Sequence, residues 1–378
     1  MSDKKLGFGL MRLPLTNPED EKSVDMPVLK SMVDTFMERG FTYFDTAYIY
    51  NNFESEVAAR EALVKRYDRN SFTLATKLPM MFLNKKDEQE RIFNEQLEKC
   101  GVEYFDYYLL HNLNILYYET AERLESFEFL KQKKKEGKIK KIGFSYHDNA
   151  ELLDQILTEH PETEFVQLQL NYMDWDDKNI QSRKCYEVAR KHGKPIIVME
   201  PVKGGTLANV NEEVQKLFRN YHPDMSAASW AIRYAASLEG VETVLSGMSN
   251  YEQLLDNTGY MQNFQPLNDD EHKIINEAAA IIRKDITIPC TDCHYCMEKC
   301  PQKIPISTYF SLYNEKEKES ARSYYVQQAY YDNCTKNNSK ASDCIECGQC
   351  EDNCPQHIEI VKYLKGISGN ALLKEFPE

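Results

Sequence analysis

Short apolar, β-branched or aromatic runs recur eight times between Lys5 and Ser246, at Lys5–Gly9, Phe41–Asp45, Phe72–Lys77, Phe105–His111, Ile139–Ser145, Phe165–Asn171, Pro195–Glu200 and Glu242–Ser246. Runs this short read as buried strands rather than helices. Between them lie Val28–Arg39, Glu54–Tyr67, Asp87–Lys99, Thr120–Glu136 and Asn179–Lys191. These repeat apolar residues at helical spacing and carry charge on their outer faces. Strand alternating with helix predicts a parallel sheet. Eight such units fit a closed (β/α)8 barrel better than an open doubly wound sheet. An open dinucleotide-binding sheet also needs G-x-G-x-x-G between its first strand and helix. Gly7-Phe8-Gly9 has neither the third glycine nor a following helix. The pattern changes after a helical stretch beginning near Asp269. We expect a large domain over 1–283 and a small one over 284–378.

Cysteine dominates the small domain. Eight of the chain's eleven cysteines form two copies of C-x2-C-x2-C-x3-C-P, one from Cys290 to Pro301 and one from Cys344 to Pro355. This pattern resembles the two-cluster bacterial ferredoxins, which implies a small α+β domain holding two 4Fe–4S clusters. The same resemblance implies a crossed ligand set. Cys290, Cys293, Cys296 and Cys354 serve one cluster. Cys344, Cys347, Cys350 and Cys300 serve the other. A pair of zinc sites needs only two C-x2-C pairs per ion and leaves the third cysteine and the proline without a role. The insert from Ser311 to Lys340, with Tyr324-Tyr325 and Tyr330-Tyr331, is read as a helix followed by a polar loop.

A formal net charge of −14 argues against nucleic acid or an anionic membrane as partner. No apolar run approaches transmembrane length, and no apolar leader follows the N-terminal Met-Ser-Asp-Lys-Lys. The expected location is cytoplasmic.

In a (β/α)8 barrel the C-terminal strand ends converge on the active site. Here they carry Asp45 with Tyr50 five residues on, Lys77 and His111. A carboxylate can hold an ammonium, the ammonium can lower the pKa of a phenol, and an imidazole can orient a carbonyl. On these residues the chain resembles the aldo-keto reductase family, from Leu6-Gly7-Phe8-Gly9 to Asn257. The resemblance implies hydride transfer between a nicotinamide dinucleotide and a small carbonyl substrate. Tyr50 would be the proton donor, tuned by Lys77 and Asp45, with His111 orienting the carbonyl.

The resemblance also places a cofactor groove. Ser145 and Gln167 stand where the family holds the nicotinamide carboxamide, with Gln169 one alternation away. Glu200, Lys203 and Gly204 follow the seventh strand, where backbone N–H groups suit a pyrophosphate. Met199 replaces the tyrosine that many members stack on the nicotinamide. Gly247, Met248, Gln253 and Asn257 lie on the adenine side. Gly247 and Gln253 replace the basic pair of NADPH-specific members, so NADH and NADPH stay open, with Lys203 or Arg12 as compensating cations. The loops Leu78–Leu83 and Asn112–Tyr118 are apolar and read equally as a substrate wall or docking face, or as a surface buried under the C-terminal domain, with Trp175 as a further wall.

A nicotinamide moves two electrons as hydride, whereas a 4Fe–4S cluster moves one. Three readings follow. The favoured one is a carbonyl reductase with accessory clusters. The second is an electron-transfer enzyme that couples the barrel, through a flavin, to a ferredoxin-like partner. The third is a non-enzymatic redox sensor.

Overall fold

The computed structural model describes residues 4–18, 20–177, 180–285, 287–318, 331–332 and 334–368. Tyr324, Tyr325 and Tyr330 lie outside them. The eight strands are β1 (Leu6–Gly9), β2 (Tyr43–Asp45), β3 (Thr73–Leu78), β4 (Phe105–Leu113), β5 (Ile139–Tyr146), β6 (Phe165–Gln169), β7 (Ile196–Met199) and β8 (Val241–Gly247). They pair in parallel, in chain order, and β8 closes on β1. Every expected strand is present.

Strand alternation explains both the core and the site. Successive side chains in a strand point to opposite faces. Phe8 and Phe44 point outward and pack with Phe36 from the helix Met26–Glu38. Tyr43, Ala75, Tyr107, Leu109, Phe165, Ile197 and Leu245 form a separate buried cluster inside the barrel. Two residues further along the same faces come Asp45, Lys77 and His111. The tetrad carboxylate, ammonium and imidazole thus stand above an apolar plug. Burying each large plug side chain contributes roughly 1.5–3 kcal/mol. Gly143 makes room for that plug, since a Cβ there would lie 2.5 Å from the Phe165 carbonyl oxygen.

Several helices begin at side-chain caps. Asp25 accepts from Val28 N, Asn149 from Leu152 N and Asn250 from Gln253 N. Two stretches differ from expectation. Thr120–Glu136 is not one helix: Ile115–Arg123 and Ser126–Lys135 are separate, broken at Glu125, whose φ is 54°. The apolar period runs through this break, so spacing alone conceals it. The apolar loop expected to continue to Tyr118 instead turns helical at Ile115, because the Asn114 side chain caps Tyr117 N.

The chain divides into two compact units, residues 1–202 with 225–272, and residues 203–224 with 273–378. The segment after β7 therefore groups with the cysteine-bearing unit. That unit has its own core around Ile288, Ile304, Ile306, Tyr309, Phe310, Ile358, Ile360 and Leu364. Its described residues form helices, including Ile306–Lys318 and Ile360–Ile367, and tight turns, with no strand among them. Among the described residues no helix is long and apolar enough to cross a membrane.

Candidate active site and cysteine cavities

The four tetrad residues meet. Lys77 Nζ lies 2.5 Å from Asp45 Oδ1 and donates to the Thr46 carbonyl at 2.8 Å. It sits 4.8 Å from the centroid of the Tyr50 ring. The Tyr50 and His111 rings meet edge to face, with centroids 5.9 Å apart. Tyr50 opens a short turn in which Asn51 and Asn52 are left-handed, with φ of 48° and 50°. Asparagine tolerates this conformation better than most residues. The turn brings the phenol back over the strand ends.

The electrostatics correct one expectation. The Tyr50 phenol is pushed well above its ordinary value, first by burial and then by the carboxylates of Asp45 and Glu200. A lowered value was expected from Lys77. The reason for the difference is that Lys77 is already paired with Asp45, so little net positive charge faces the phenol, and desolvation wins. Burial also raises Asp45 and lowers Lys77, each against the pull of its partner. His111 is held well below the ordinary imidazole value by burial, Lys77 and His147. At neutral pH the site therefore offers a protonated phenol and a neutral imidazole.

Behind the tetrad is a polar group the sequence reading missed. Glu56 is fully buried, and its Oε1 accepts from Thr76 Oγ1 at 2.7 Å and from Gln96 Nε2 at 2.6 Å. Gln96 Nε2 also donates to the Lys77 carbonyl, and Gln96 Oε1 accepts from the Tyr108 hydroxyl. Burial pushes the Glu56 carboxyl up to about 7. The available signal was its place beside Ser55, Ala58 and Ala59 on the inward face of a helix.

The expected groove residues sit as follows. Ser145 and Gln167 pair in register on β5 and β6, and both are buried. Ser145 Oγ accepts from Asn112 N at 2.8 Å. Gln167 Nε2 reaches the Met199 sulfur at 3.6 Å, while its Oε1 is buried with no hydrogen-bond partner among the described residues. A buried acceptor of this kind fits the amide of a nicotinamide. Gln169 is tied to Asp174. Glu200 is left-handed, with φ of 55°, and its carbonyl accepts from Asn171. Gly247 ends β8, and Arg12 lies over it, so a Cβ there would come within 3.3 Å of the Arg12 side chain. Met248 is buried in the outer core. Gln253 Oε1 accepts from Ser249 N, and Asn257 bridges Ser246 Oγ and the Tyr260 hydroxyl. Trp175 packs on Tyr186 and Tyr234. Lys203 and Gly204 belong to the other compact unit, where the Lys203 ammonium donates to Gln356 Oε1.

In that unit the cysteines line two cavities. Cys290, Cys293, Cys296 and Cys354 line the first. Cys300, Cys344, Cys347 and Cys350 line the second. The fourth cysteine of each run thus faces the other run's cavity. The backbone repeats with the sequence, at the 54-residue interval that separates Cys290 from Cys344. Asp292 and Glu346 are left-handed, as are His294 and Gly348, and Lys303 and His357. The short helices Tyr295–Glu298 and Gln349–Asp352 follow at the same interval. Among the described residues no three His, Cys, Asp or Glu side chains gather at one metal-ion position. Four thiols spread around a cavity suit the corners of a cubane.

Known proteins agree with both halves. The model of the aldo/keto reductase family matches residues 5–280, and that of a 4Fe-4S dicluster domain matches 289–359. The chain is 24% identical over 281 residues to an uncharacterized oxidoreductase, YqkF, of Bacillus subtilis (strain 168), covering 67% of this chain and 85% of that one. It is 31% identical over 149 residues to the probable aldo-keto reductase 1 of Glycine max, covering 37% and 41%. Among solved structures it is similar to the aldo-keto reductase AKR11C1 from Bacillus halodurans in its holo form, at 25% identity and a TM-score of 0.56, covering 72% and 91%. It shares the fold of an aldo-keto reductase from Klebsiella pneumoniae in complex with NADPH, at 16% identity and a TM-score of 0.55, covering 73% and 95%. A closed barrel with converging polar strand ends, matched by the family model over most of the chain, makes this protein a member of the aldo/keto reductase family: an NAD(P)-linked oxidoreductase with a 4Fe–4S domain after its barrel.

Proposed function

We propose that the barrel reduces a small carbonyl compound with Tyr50 as proton donor, and that the C-terminal unit holds two 4Fe–4S clusters on the crossed cysteine sets. The observation that carries the first part is the buried Lys77–Asp45 pair against the Tyr50 ring, with His111 at the ring's edge. When bound, a reduced nicotinamide supplies the hydride, and the clusters supply one-electron storage. His111 donates a hydrogen bond to the carbonyl oxygen and fixes its direction. Tyr50 keeps its proton until negative charge develops on that oxygen, then gives it up to form the alcohol. Lys77 stabilises the phenolate left behind, and Asp45 holds Lys77 in place.

Ser145 and Gln167 are the carboxamide contacts in this reading. Glu200, Gly247, Met248, Gln253 and Asn257 supply the rest of the dinucleotide surface, with Arg12 as the cation nearest Gly247. Phe53 and Phe82, on the loops after Tyr50 and Lys77, pack together with Tyr48 and stay more than a third exposed. They favour a substrate with an apolar side. The test is anaerobic turnover of aldehydes and ketones with NADH and with NADPH, alongside iron and sulfide counts. Undiminished turnover by Tyr50→Phe would sink the mechanism.

One observation favours a second reading, electron transfer to a ferredoxin-type partner. Cys347, in the second cavity, is exposed, which puts an edge of that cavity at the surface. Bleaching of cluster absorbance on adding NADPH, with or without flavin, would support it. Steady carbonyl reduction with unchanged cluster absorbance would exclude it.

A further inference from the structure

The turn after β7 carries a buried lysine. Lys203 is 4% exposed, and its Nζ donates to Gln356 Oε1 at 2.9 Å. Gln356 follows Cys354 by two residues and lines the first cavity together with Cys290 and Cys354. The backbone around Lys203 is built for this approach. Lys203, Gly204 and Gly205 all have positive φ, of 48°, 63° and 104°. A Cβ on Gly204 would lie 2.4 Å from the Thr291 carbonyl oxygen. Only glycine lets this turn press against the loop that begins at Cys290.

Among the described residues the second cavity has no counterpart to this lysine. Its position equivalent to Gln356, 54 residues earlier, is Gln302, which also lines its cavity. Among the described residues no lysine is bonded to Gln302. Two sites that repeat in cysteines, left-handed turns and helices thus differ in one buried lysine.

We propose that Lys203 is an electrostatic tuning residue that holds the cluster of Cys290, Cys293, Cys296 and Cys354 at a higher reduction potential than its repeat. The inference rests on the two-cluster reading above. Reduction adds one negative charge to a cluster, and a buried cation held against Gln356 in the cavity wall stabilises the reduced form more than the oxidised one. Electrons entering the unit then settle on the first cluster.

The experiment is an anaerobic redox titration of the full chain followed by electron paramagnetic resonance, for wild type, Lys203→Gln and Lys203→Arg. The Cys354→Ser chain assigns the two signals. In Lys203→Gln the reduced-to-oxidised ratio of the first cluster at a fixed poise is expected to fall about tenfold, equivalent to about 59 mV for one electron. The second cluster should stay in place, and Lys203→Arg should titrate near wild type. Equal movement of both clusters, no movement, or an equal shift in Lys203→Arg would overturn the proposal. So would loss of the first cluster's iron from Lys203→Gln, which would make the side chain part of the housing. Wild-type iron for one cluster only would defeat the two-cluster reading instead, and the shift of that remaining cluster would still decide the role of Lys203.

Discussion

The tetrad and the cysteine cavities are built on opposite plans. Asp45, Lys77 and His111 come from three different strands, and Tyr50 from a turn beyond one of them. Nothing local holds them together; the barrel register does, and a one-residue slip would turn each side chain out of the lumen. The cavities draw three of their four thiols from a seven-residue loop, Cys290–Cys296 or Cys344–Cys350. There the positions are set by left-handed residues within the loop itself. Only the crossed cysteines, Cys300 and Cys354, depend on long-range packing. The contrast teaches where each site is fragile. The tetrad depends on a buried charge pair in a rigid frame, the cavities on one distant ligand each.

The largest effect should come at Tyr50. Tyr50→Phe is expected to lower kcat/KM for carbonyl reduction by about 10²–10⁴-fold, with iron and sulfide content unchanged. A fall in iron together with activity would break the separation of the two sites. Next comes Lys77→Met, which leaves the Asp45 carboxylate buried without its cation. The expected loss is about 3–5 kcal/mol in denaturant unfolding of the barrel, largely recovered when Asp45→Asn is added. A cost near zero would mean the pair does not hold the frame.

A pH effect sharpens the same point. The folded Glu56 carboxyl, near 7, lies above the unfolded value of about 4.3, so the folded chain keeps a proton the unfolded chain releases. Its contribution is full below about 4.3 and is lost as pH rises through about 7, amounting to about 4 kcal/mol at most. Unfolding midpoints from pH 4.5 to 8 should show that slope in wild type and flatten in Glu56→Gln. The smallest change is in metal content. Cys354→Ser should halve the iron and leave the second cavity's cluster, although Cys354 belongs to the second sequence run. Cys300→Ser should do the reverse, and loss of the run's own cluster in either variant would refute the crossed arrangement.

What the sequence reveals follows the same division. All eight strands were legible, because a buried parallel strand is a short apolar run with polar ends. The two cysteine runs were legible because their spacing is local and repeated. The break at Glu125 was hidden by an apolar period that runs through it. The direction of the Tyr50 shift was hidden because desolvation depends on neighbours from distant strands. Glu56 and Gln96 were missed for that reason too. Lys203 was read as a groove residue on its place after β7, whereas the structure ties its ammonium to Gln356. No periodicity announces such a contact.

The crossed cysteines also set an order of events during synthesis. The first cavity opens at Cys290 but gains its fourth thiol only at Cys354, 64 residues later. Cys354 emerges from the ribosome only after residues 5–280 have been made, and domains generally fold as units, N-terminal first. The barrel can therefore close while both thiol cavities are still incomplete. Filling of the cysteine cavities would then follow closure of the barrel, and a failure of iron supply would leave behind a folded barrel rather than an unfolded protein.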